Sequence, residues 1–417
     1  MRLSRSSSSR IASRSSTTLA LYSIVFVDAL GFGLLIPILP FLALHFGAAA
    51  AVVTQIAAAY YLAAFIASPW LGHLSDRIGR LPVLVLTVLV SVISCVGLLI
   101  SASMAGLIVF RALGGAASGN SAIAQALITD DLPKEQHTTA LSSLAAIRNV
   151  GNIGGPTLGG LVIALAGQHD QFKAVLWLAT ILAVATAALT LWSFGRKMDP
   201  AAIWAKVSDL RASARPNLEA PRPHRLVVDR STLWPIVATA TVAFPTGLLF
   251  SVSALYVDRI FGWGGAQTGL LLGICTAAII VSRLVVVPWL SKRFSIGFNM
   301  AAMGTVACLA TLFVPLAPNP IAFTLVYVAF SVTCSNALIF AGAAVSMRAA
   351  PLMRGRLLGI NQAAFSLALV ASASLNGVIF GYAGPAAPFY LGATILLLFA
   401  SACWGVVYEE RRRTSSD

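Results

Sequence analysis

The stretch Gly72-His73-Leu74-Ser75-Asp76-Arg77-Ile78-Gly79-Arg80 is a short polar segment between two long apolar runs, at 51–71 and 82–102. Each run has about the 20 residues that an α-helix needs to cross a bilayer. Short basic segments between such runs are typical of cytoplasmic connections in membrane proteins. The stretch therefore predicts an integral membrane protein.

The composition of the whole chain agrees with this prediction. Of its 417 residues, 58% are hydrophobic and 10% are charged, and the mean hydropathy is +0.87. Soluble domains are about 45–50% apolar and about 25% charged, so a water-soluble fold could not bury this much apolar surface. We predict an all-α integral membrane fold of twelve transmembrane helices. The predicted spans are 19–43, 51–71, 82–102, 104–128, 139–166, 173–194, 233–257, 266–290, 297–317, 319–345, 357–381 and 386–408.

The net charge of +14 suggests a nucleic-acid-binding protein, but the positions of the basic residues argue against that class. Of the 28 Lys and Arg residues, 23 lie in alternate connections, and only Lys173 and Arg259 lie in the opposite ones. Because loops rich in Lys and Arg stay in the cytoplasm, both termini are predicted to be cytoplasmic. We expect a multi-pass protein of the cell membrane, bacterial inner membrane in the simplest case, with no nucleic-acid partner.

A long polar interruption at 196–231, which contains four prolines, divides the chain into halves of six spans. The Ser- and Arg-rich first 18 residues also have the composition of a transit peptide, and this alternative stays open. The predicted organisation is a basic cytoplasmic tail at 1–18, an N-terminal six-helix bundle at 19–195, a cytoplasmic linker at 196–231, a C-terminal six-helix bundle at 232–408 and a cytoplasmic tail at 409–417.

A weak internal repeat supports the two halves. The connection Pro288-Trp289-Leu290-Ser291-Lys292-Arg293-Phe294 matches Gly72–Ile78 at three of seven positions. Duplicated halves are how many secondary transporters build a substrate site near the middle of the membrane. Chance similarity between two short basic loops is the alternative.

Four stretches of the first half form a recognisable set. They are the first-span pattern Asp28–Pro40, the signature loop Gly72–Arg80, the Arg motif Arg111–Gly115 and the glycine-rich run Gly151–Gly160. Together they resemble the major facilitator superfamily, and within it the twelve-span drug:proton antiporters of the tetracycline-exporter type. The chain departs from the family pattern at Leu81, where a second basic residue is usual, and at Leu113, where Gln is usual. The resemblance implies two six-helix bundles around a central cavity, and export of amphipathic molecules in exchange for protons.

Asp28 is the only acidic residue well inside a predicted span. A carboxylate in hydrocarbon costs roughly 2.5–3.5 kcal/mol on insertion scales, so it is rare without a role. Burial favours the neutral acid and a neighbouring cation favours the carboxylate, so a carboxyl group with alternating surroundings can bind and release a proton. Asp28 is the candidate proton carrier, and a permanently ion-paired structural Asp is the alternative.

Three arginines, Arg111, Arg148 and Arg283, lie within spans four, five and eight. At 1.5 Å per residue, Asp28 lies about 14 Å from the cytoplasmic end of span one and Arg111 about 10 Å from the outer end of span four. In a core about 30 Å thick these depths are similar, so we predict that the two residues pair when Asp28 is deprotonated. Arg148 is a candidate substrate contact. Arg283 is another, or else a residue that snorkels toward the cytoplasm.

One acid against three bases predicts a net-positive interior, which favours an anionic or zwitterionic substrate. Further substrate-binding candidates are Tyr60, Tyr61, Gln125, Asn149, Phe244, Asn336 and Gln362. The two asparagines are preferred, because an amide facing lipid would lack hydrogen-bond partners.

The signature loop is predicted to form a cytoplasmic gate. We expect Asp76 to lie against the positive N-terminal end of span eleven, as the resemblance implies. We also expect Arg77 to bridge to Asp130 or Asp131 at the foot of span four. A solvated charge cluster is the alternative; it accounts for Arg80 but not for the flanking glycines. The predicted gate residues are Gly72, Asp76, Arg77, Gly79, Arg80, Asp130 and Asp131.

The glycine-rich run resembles the family's antiporter motif and has small residues at spacings of four, which let helix backbones approach closely. Pro156 is expected to kink the span. A purely structural packing role is the alternative to a role in antiport. The motif residues are Gly151, Gly155, Pro156, Gly159 and Gly160.

Patterns of other function classes are missing from the sequence. It contains no HExxH, GxSxG or GxxxxGK[ST] motif, and its five cysteines lie in apolar spans, where a thiol behaves as a small hydrophobe. We predict a non-enzymatic transporter without metal or cofactor, a monomer whose partners are a small-molecule substrate, protons and the lipid bilayer. An uptake permease or facilitator for an organic anion, and a non-transporting membrane sensor or scaffold, are the alternatives.

Overall fold

Helices form every regular element of the computed structural model, which describes residues 3–195, 198, 230–348 and 354–414. In hydrocarbon, a helix is favoured because it satisfies all its backbone hydrogen bonds internally. The helices are α1 Leu3–Leu35, α2 Leu39–His45, α3 Ala50–Ile78, α4 Arg80–Ile100, α5 Met104–Ala116, α6 Asn120–Asp131, α7 Lys134–Phe194, α8 Arg230–Thr246, α9 Leu248–Ser251, α10 Ser253–Phe261, α11 Gly265–Arg293, α12 Ile296–Phe313, α13 Pro320–Arg348, α14 Arg354–Ala383 and α15 Ala387–Thr414. A 3-10 turn, Val314–Leu316, follows α12.

Ten segments of the described chain are long and apolar enough to cross a membrane. Each coincides with a predicted span, so the prediction of a multi-pass membrane protein is confirmed. The ten segments are Thr17–His45, Ala50–Ile78, Arg80–Ile100, Phe172–Phe194, Leu233–Ser251, Gly265–Arg293, Ile296–Leu316, Pro320–Arg348, Leu357–Ala383 and Ala387–Tyr408.

The predicted fourth span differs from the expectation, because it is broken. α5 ends at Ala116, and α6 begins at Asn120 after a turn in which the Ser118 backbone N–H donates to Gly115 O. Glycine is a poor helix former, and Gly114, Gly115 and Gly119 concentrate at this point. Two short helices therefore replace the single continuous span that the sequence predicted.

The predicted fifth and sixth spans lie in one helical element, α7. Two glycines of α1 show that the chain nevertheless turns back within it. A Cβ atom on Gly155 would lie 2.5 Å from Gly33 Cα, and one on Gly31 would lie 3.9 Å from Leu182 Cβ. A straight helix would separate residues 155 and 182 by about 40 Å. The chain must therefore reverse between them, where the sequence predicts a connection.

The described residues form two compact units. The first comprises 3–35, 63–155 and 170–195, and the second 36–62, 156–169, 230–348 and 354–414. The core of the first contains Leu21, Ile24, Leu84, Leu144 and Phe194. In the second, aromatic rings pack together in the core, with 4.9 Å between the ring centroids of Tyr256 and Phe389.

The structure describes most of the predicted N-terminal tail but little of the predicted linker. The tail at 1–18 is helical from Leu3 onward, because α1 begins there. Nearly all of the predicted linker at 196–231 lies outside the described residues.

Most hydroxyl groups within the helices bond to their own backbone. Thr87, Thr190 and Ser331, for example, each donate to the carbonyl oxygen four residues earlier. Such bonds satisfy a polar group in hydrocarbon without any partner helix. Polar side chains that bond to another helix are therefore the ones that can mark a functional site.

Candidate functional site

Asp28 is bonded to a neighbouring helix rather than to its own. The Asn120 side chain donates from Nδ2 to Asp28 Oδ1 over 3.1 Å. Asn120 is buried, and Asp28 is half-buried in α1. Asn120 is the first residue of α6, directly after the break in the fourth span. The positive N-terminal end of a helix favours a nearby anion, and Asp28 is bonded to the side chain of the residue at that end.

Arg111 lies close to the same face of α1. It is 7% exposed, and its guanidinium carbon is 5.1 Å from the ring centroid of Phe32, one helical turn after Asp28. The structure thus gathers Asp28, Arg111 and Asn120 in one polar region of the first unit, which we call the Asp28 region.

The first part of the antiporter motif packs against the helix that carries Asp28. A Cβ atom on Gly151 would lie 2.6 Å from Phe26 O, and one on Gly155 would lie 2.5 Å from Gly33 Cα. Only glycine permits this approach between α1 and α7. These contacts fix the position of α1 on both sides of Asp28 along the chain.

The second part of the motif packs against α11. A Cβ atom on Gly160 would lie 2.8 Å from Ala266 O, and one on Gly269 would lie 2.6 Å from Pro156 O. Gly159 is buried in the same helix. The motif therefore has two packing faces, which its glycine spacing alone did not predict.

The signature loop forms an ion-pair network around Arg80. Its Nε donates to Asp130 Oδ2 over 2.6 Å, and its Nη1 lies 3.2 Å from Asp76 Oδ1. The same nitrogen donates to Ser75 Oγ over 3.3 Å. Arg80, and not the predicted Arg77, contacts Asp130. The reason is that α3 ends at Ile78, and Arg80 starts the new helix α4 beside the foot of α6.

The two flanking glycines of the loop differ. Gly79 has φ +106°, a conformation that is accessible essentially to glycine alone, and it makes the turn between α3 and α4 possible. A Cβ atom on Gly72 would meet nothing within 4 Å, so no local packing explains that glycine. The predicted contacts of Asp76 with span eleven, and of Asp28 with Arg111 as an ion pair, stay predictions.

A second polar region joins α11 and α13. Arg283 Nη2 donates to Ser335 Oγ, and Asn336 Nδ2 donates to Ser282 Oγ, each over 2.8 Å. The structure thus brings together two predicted substrate-binding candidates, Arg283 and Asn336. The guanidinium points to the middle of α13, about 20 Å from the end of that helix at Arg348. Such a direction is not that of a snorkelling side chain.

The remaining candidates lie on several helices. Tyr60 and Tyr61 are half-buried in α3, with ring centroids 5.5 Å apart, and Phe244 is half-buried in α8. Among the others, Asn149 is half-buried, and Arg148, Gln125, Gln362 and Asp131 are exposed.

Sequence reasoning missed Asn120, Ser282 and Ser335. The argument that selected Asn149 and Asn336, that an amide needs partners in hydrocarbon, applies equally to Asn120 and could have found it. The two serines carry no such signal, because most span hydroxyls bond to their own helix.

A sequence profile of the Major Facilitator Superfamily matches residues 21–347. This match covers more than half of the chain. The chain belongs to the major facilitator superfamily.

Curated relatives of this superfamily member include resistance proteins. The chain is 32% identical to the class B tetracycline resistance protein of Escherichia coli over 183 residues, which is 43% of this chain and 44% of that protein. It is 28% identical to the class G protein of Vibrio anguillarum over 70% of this chain and 73% of that protein. It is 34% identical to the multi-drug resistance efflux pump PmrA of Streptococcus pneumoniae over 30% of this chain and 32% of the pump. The match to the class B protein thus spans less than half the length of that relative.

Solved structures agree on the major facilitator fold. The human organic anion transporter MFSD10 superposes with a TM-score of 0.63 at 18% identity, over 94% of this chain and 99% of that one. The peptide transporter POT gives a TM-score of 0.74 at 16% identity, over 94% of each chain. At these identities the likeness shows the fold alone. The family assignment makes this chain a membrane transporter and not an enzyme.

Proposed function

We propose that this protein is a proton-coupled antiporter that exports drug-like amphipathic molecules by alternating access. In this proposal it is a monomer of twelve spans in two six-helix bundles, with both termini in the cytoplasm of a bacterial inner membrane. The observation that carries the proposal is Asp28, the one acid inside the predicted spans, bonded to Asn120 at the break in the fourth span. The resistance proteins among its relatives support export as the direction.

The proton is held by the Asp28 carboxyl group. When Asp28 is ionised, the Asn120 amide and the end of α6 stabilise the negative charge. Arg111, which lies over the Phe32 ring one helical turn after Asp28, is proposed to pair with it. When Asp28 is protonated, that pairing is lost and the local net charge rises by one. A change of this kind gives the two conformations of the protein different stabilities, which is what coupling requires.

The Arg80 network acts as the cytoplasmic gate in this scheme. It ties the start of α4 to the end of α6 through Asp130, and to α3 through Asp76. Because these side chains are partly exposed, each bond is weak and can break during transport. Gly72, Arg77 and Asp131 are assigned to the gate from the family motif and their position.

The antiporter motif supplies the rigid surfaces. Gly151 and Gly155 hold α1 close to α7, so a displacement of α7 is passed to the helix that carries Asp28. Arg148, one turn before Gly151 on α7, is proposed as a substrate contact. Tyr60, Tyr61, Gln125, Asn149, Phe244 and Gln362 are the further substrate-binding candidates.

The test is a susceptibility and uptake panel in cells that lack their own efflux pumps. Cells that produce the protein should accumulate less tetracycline or chloramphenicol than cells that produce the Asp28→Asn variant. An uncoupler should remove the difference. If the Asp28→Asn variant keeps full proton-driven export, Asp28 is not the proton carrier. If the uncoupler does not change the flux of the wild type, the protein is a facilitator. Arg148→Ala should raise the apparent KM, and an unchanged KM would remove Arg148 from the substrate site.

A further inference from the structure

The second polar region contains a positive charge where α11 packs against α13. Its members, Ser282 and Arg283 on α11 with Ser335 and Asn336 on α13, form what we call the Arg283 layer. Consecutive residues of one helix bond to consecutive residues of the other, both over 2.8 Å. Ser282, Ser335 and Asn336 are buried, whereas Arg283 is half-buried and so can be reached.

Arg283 does not lie on the exposed side of its helix. Val281, Leu284 and Val285 are 60%, 73% and 63% exposed and mark the face that suits lipid. At 100° per residue, Arg283 lies roughly opposite them. It lies on the same side as Gly265, whose added Cβ atom would be 2.6 Å from Ile163 Cδ1 of α7. The guanidinium therefore projects from the face of α11 that packs against protein.

The charge of the layer lies in a part of the sequence that is poor in acidic residues. Residues 259–408 contain no Asp or Glu. Ser335, which accepts the hydrogen bond, is neutral and leaves the charge of Arg283 intact. A cation at this depth is costly and generally marks a ligand or ion pathway.

We propose that Arg283 binds a negatively charged group of the transported molecule, so that this protein selects organic anions such as carboxylates and acidic enols. A guanidinium presents a planar fork of N–H donors that matches a carboxylate or enolate in geometry as well as charge. Ser335 orients the fork, and the Ser282–Asn336 bond fixes the register of α11 against α13. The inference rests on the proposed transport function and specifies its substrate class.

Three probe pairs test it on the purified full-length protein: 2-naphthoate, nalidixate and fusidate, each beside its own methyl ester. Dissociation constants are measured from ligand-dependent thermal shifts. At least one carboxylate should bind the wild type at least about tenfold more tightly than its ester, the range for a charge-assisted hydrogen bond. Arg283→Gln should remove this preference and leave ester binding unchanged. Arg259→Gln, which removes a charge from the outer end of α10, should retain it.

Two outcomes overturn the proposal: no carboxylate preference in the wild type, or a preference that survives in Arg283→Gln. If Arg283→Gln does not fold, Ser335→Ala decides. It should weaken carboxylate binding about threefold to tenfold and spare the esters, and equal weakening of both contradicts the proposal. Proton-driven export of the same variants separates this inference from the proposed function. A carboxylate preference without proton-driven flux refutes antiport alone, and driven flux without the preference refutes the anion site alone.

Discussion

The Asp28 region and the Arg283 layer solve the same problem, a charge among apolar helices, in different ways. At Asp28 the neighbouring span is broken, and the acid lies beside the first residue of α6. At Arg283 both helices are continuous, and the neutral side chain of Ser335 accepts a hydrogen bond from the guanidinium. An acid beside a helix end and a nearby Arg can change its protonation state, whereas an arginine stays charged. We therefore propose proton coupling for the first region and recognition of charge for the second.

The largest effect is expected from replacing the two buried asparagines, Asn120 and Asn336, one at a time. Asn120→Ala removes a hydrogen bond to a charged group, worth about 1.5–3 kcal/mol, so proton-driven export at neutral pH should fall about tenfold or more. Because the ionised form of Asp28 is the one that loses support, the pH for half-maximal export should rise. Asn336→Ala should leave the pH profile in place. The measurement is the transport rate in proteoliposomes across a series of pH values. Equal pH–rate profiles for the two variants would contradict the different roles proposed for the two regions.

A smaller effect is expected in the signature loop, outside both regions. Gly79→Ala forces a side chain into the φ +106° conformation, at a cost of about 1–3 kcal/mol. Gly72→Ala is the matched control, because its added methyl group meets nothing. Thermal unfolding of the purified variants should show a lowered Tm for Gly79→Ala and an unchanged Tm for the control. A similar Tm for both would mean that the turn is not strained by a side chain.

The smallest effect is expected for the exposed ion pair. Asp130→Asn removes the ion pair with Arg80, in which the Asp130 side chain is 57% exposed and the Arg80 side chain 31% exposed. The loss of an exposed ion pair should remove at most about 1 kcal/mol of stabilisation. Asp131→Asn, at the neighbouring exposed position, should cost less. Transport rates of the wild type and Asp130→Asn are measured at low and at high salt. The two proteins should differ at low salt and have the same rate at high salt, because salt screens an exposed ion pair. A difference that persists at high salt would show a stronger role for Asp130.

The sequence predicted the spans well, because length and apolar character are enough to identify a membrane helix. The start of the first candidate span, for example, differs from the prediction by two residues, Thr17 against 19. The break at Ala116–Asn120 was not predicted, because glycines also occur in continuous helices of this chain. Asp28 could be selected as a candidate because acidic residues are rare inside membrane spans, and this criterion does not require its partners to be known.

The partners could not be predicted, because they depend on how each helix is rotated. Arg77 and Arg80 are three residues apart and equally basic, and only the end of α3 at Ile78 decides which one meets Asp130. Ser335, which accepts a hydrogen bond from Arg283, is one of many serines in the spans, and only the packing between α11 and α13 selects it.

The claim that Asp28 takes up and gives off a proton can be tested without knowing the substrate. Infrared difference spectra of the protein in membranes, recorded between about pH 4 and pH 9, report each carboxyl group that titrates. If Asp28 binds the proton, the wild type should show a protonated-carboxyl band that is missing from Asp28→Asn and altered in Asn120→Ala. Identical difference spectra for the wild type and Asp28→Asn would contradict it.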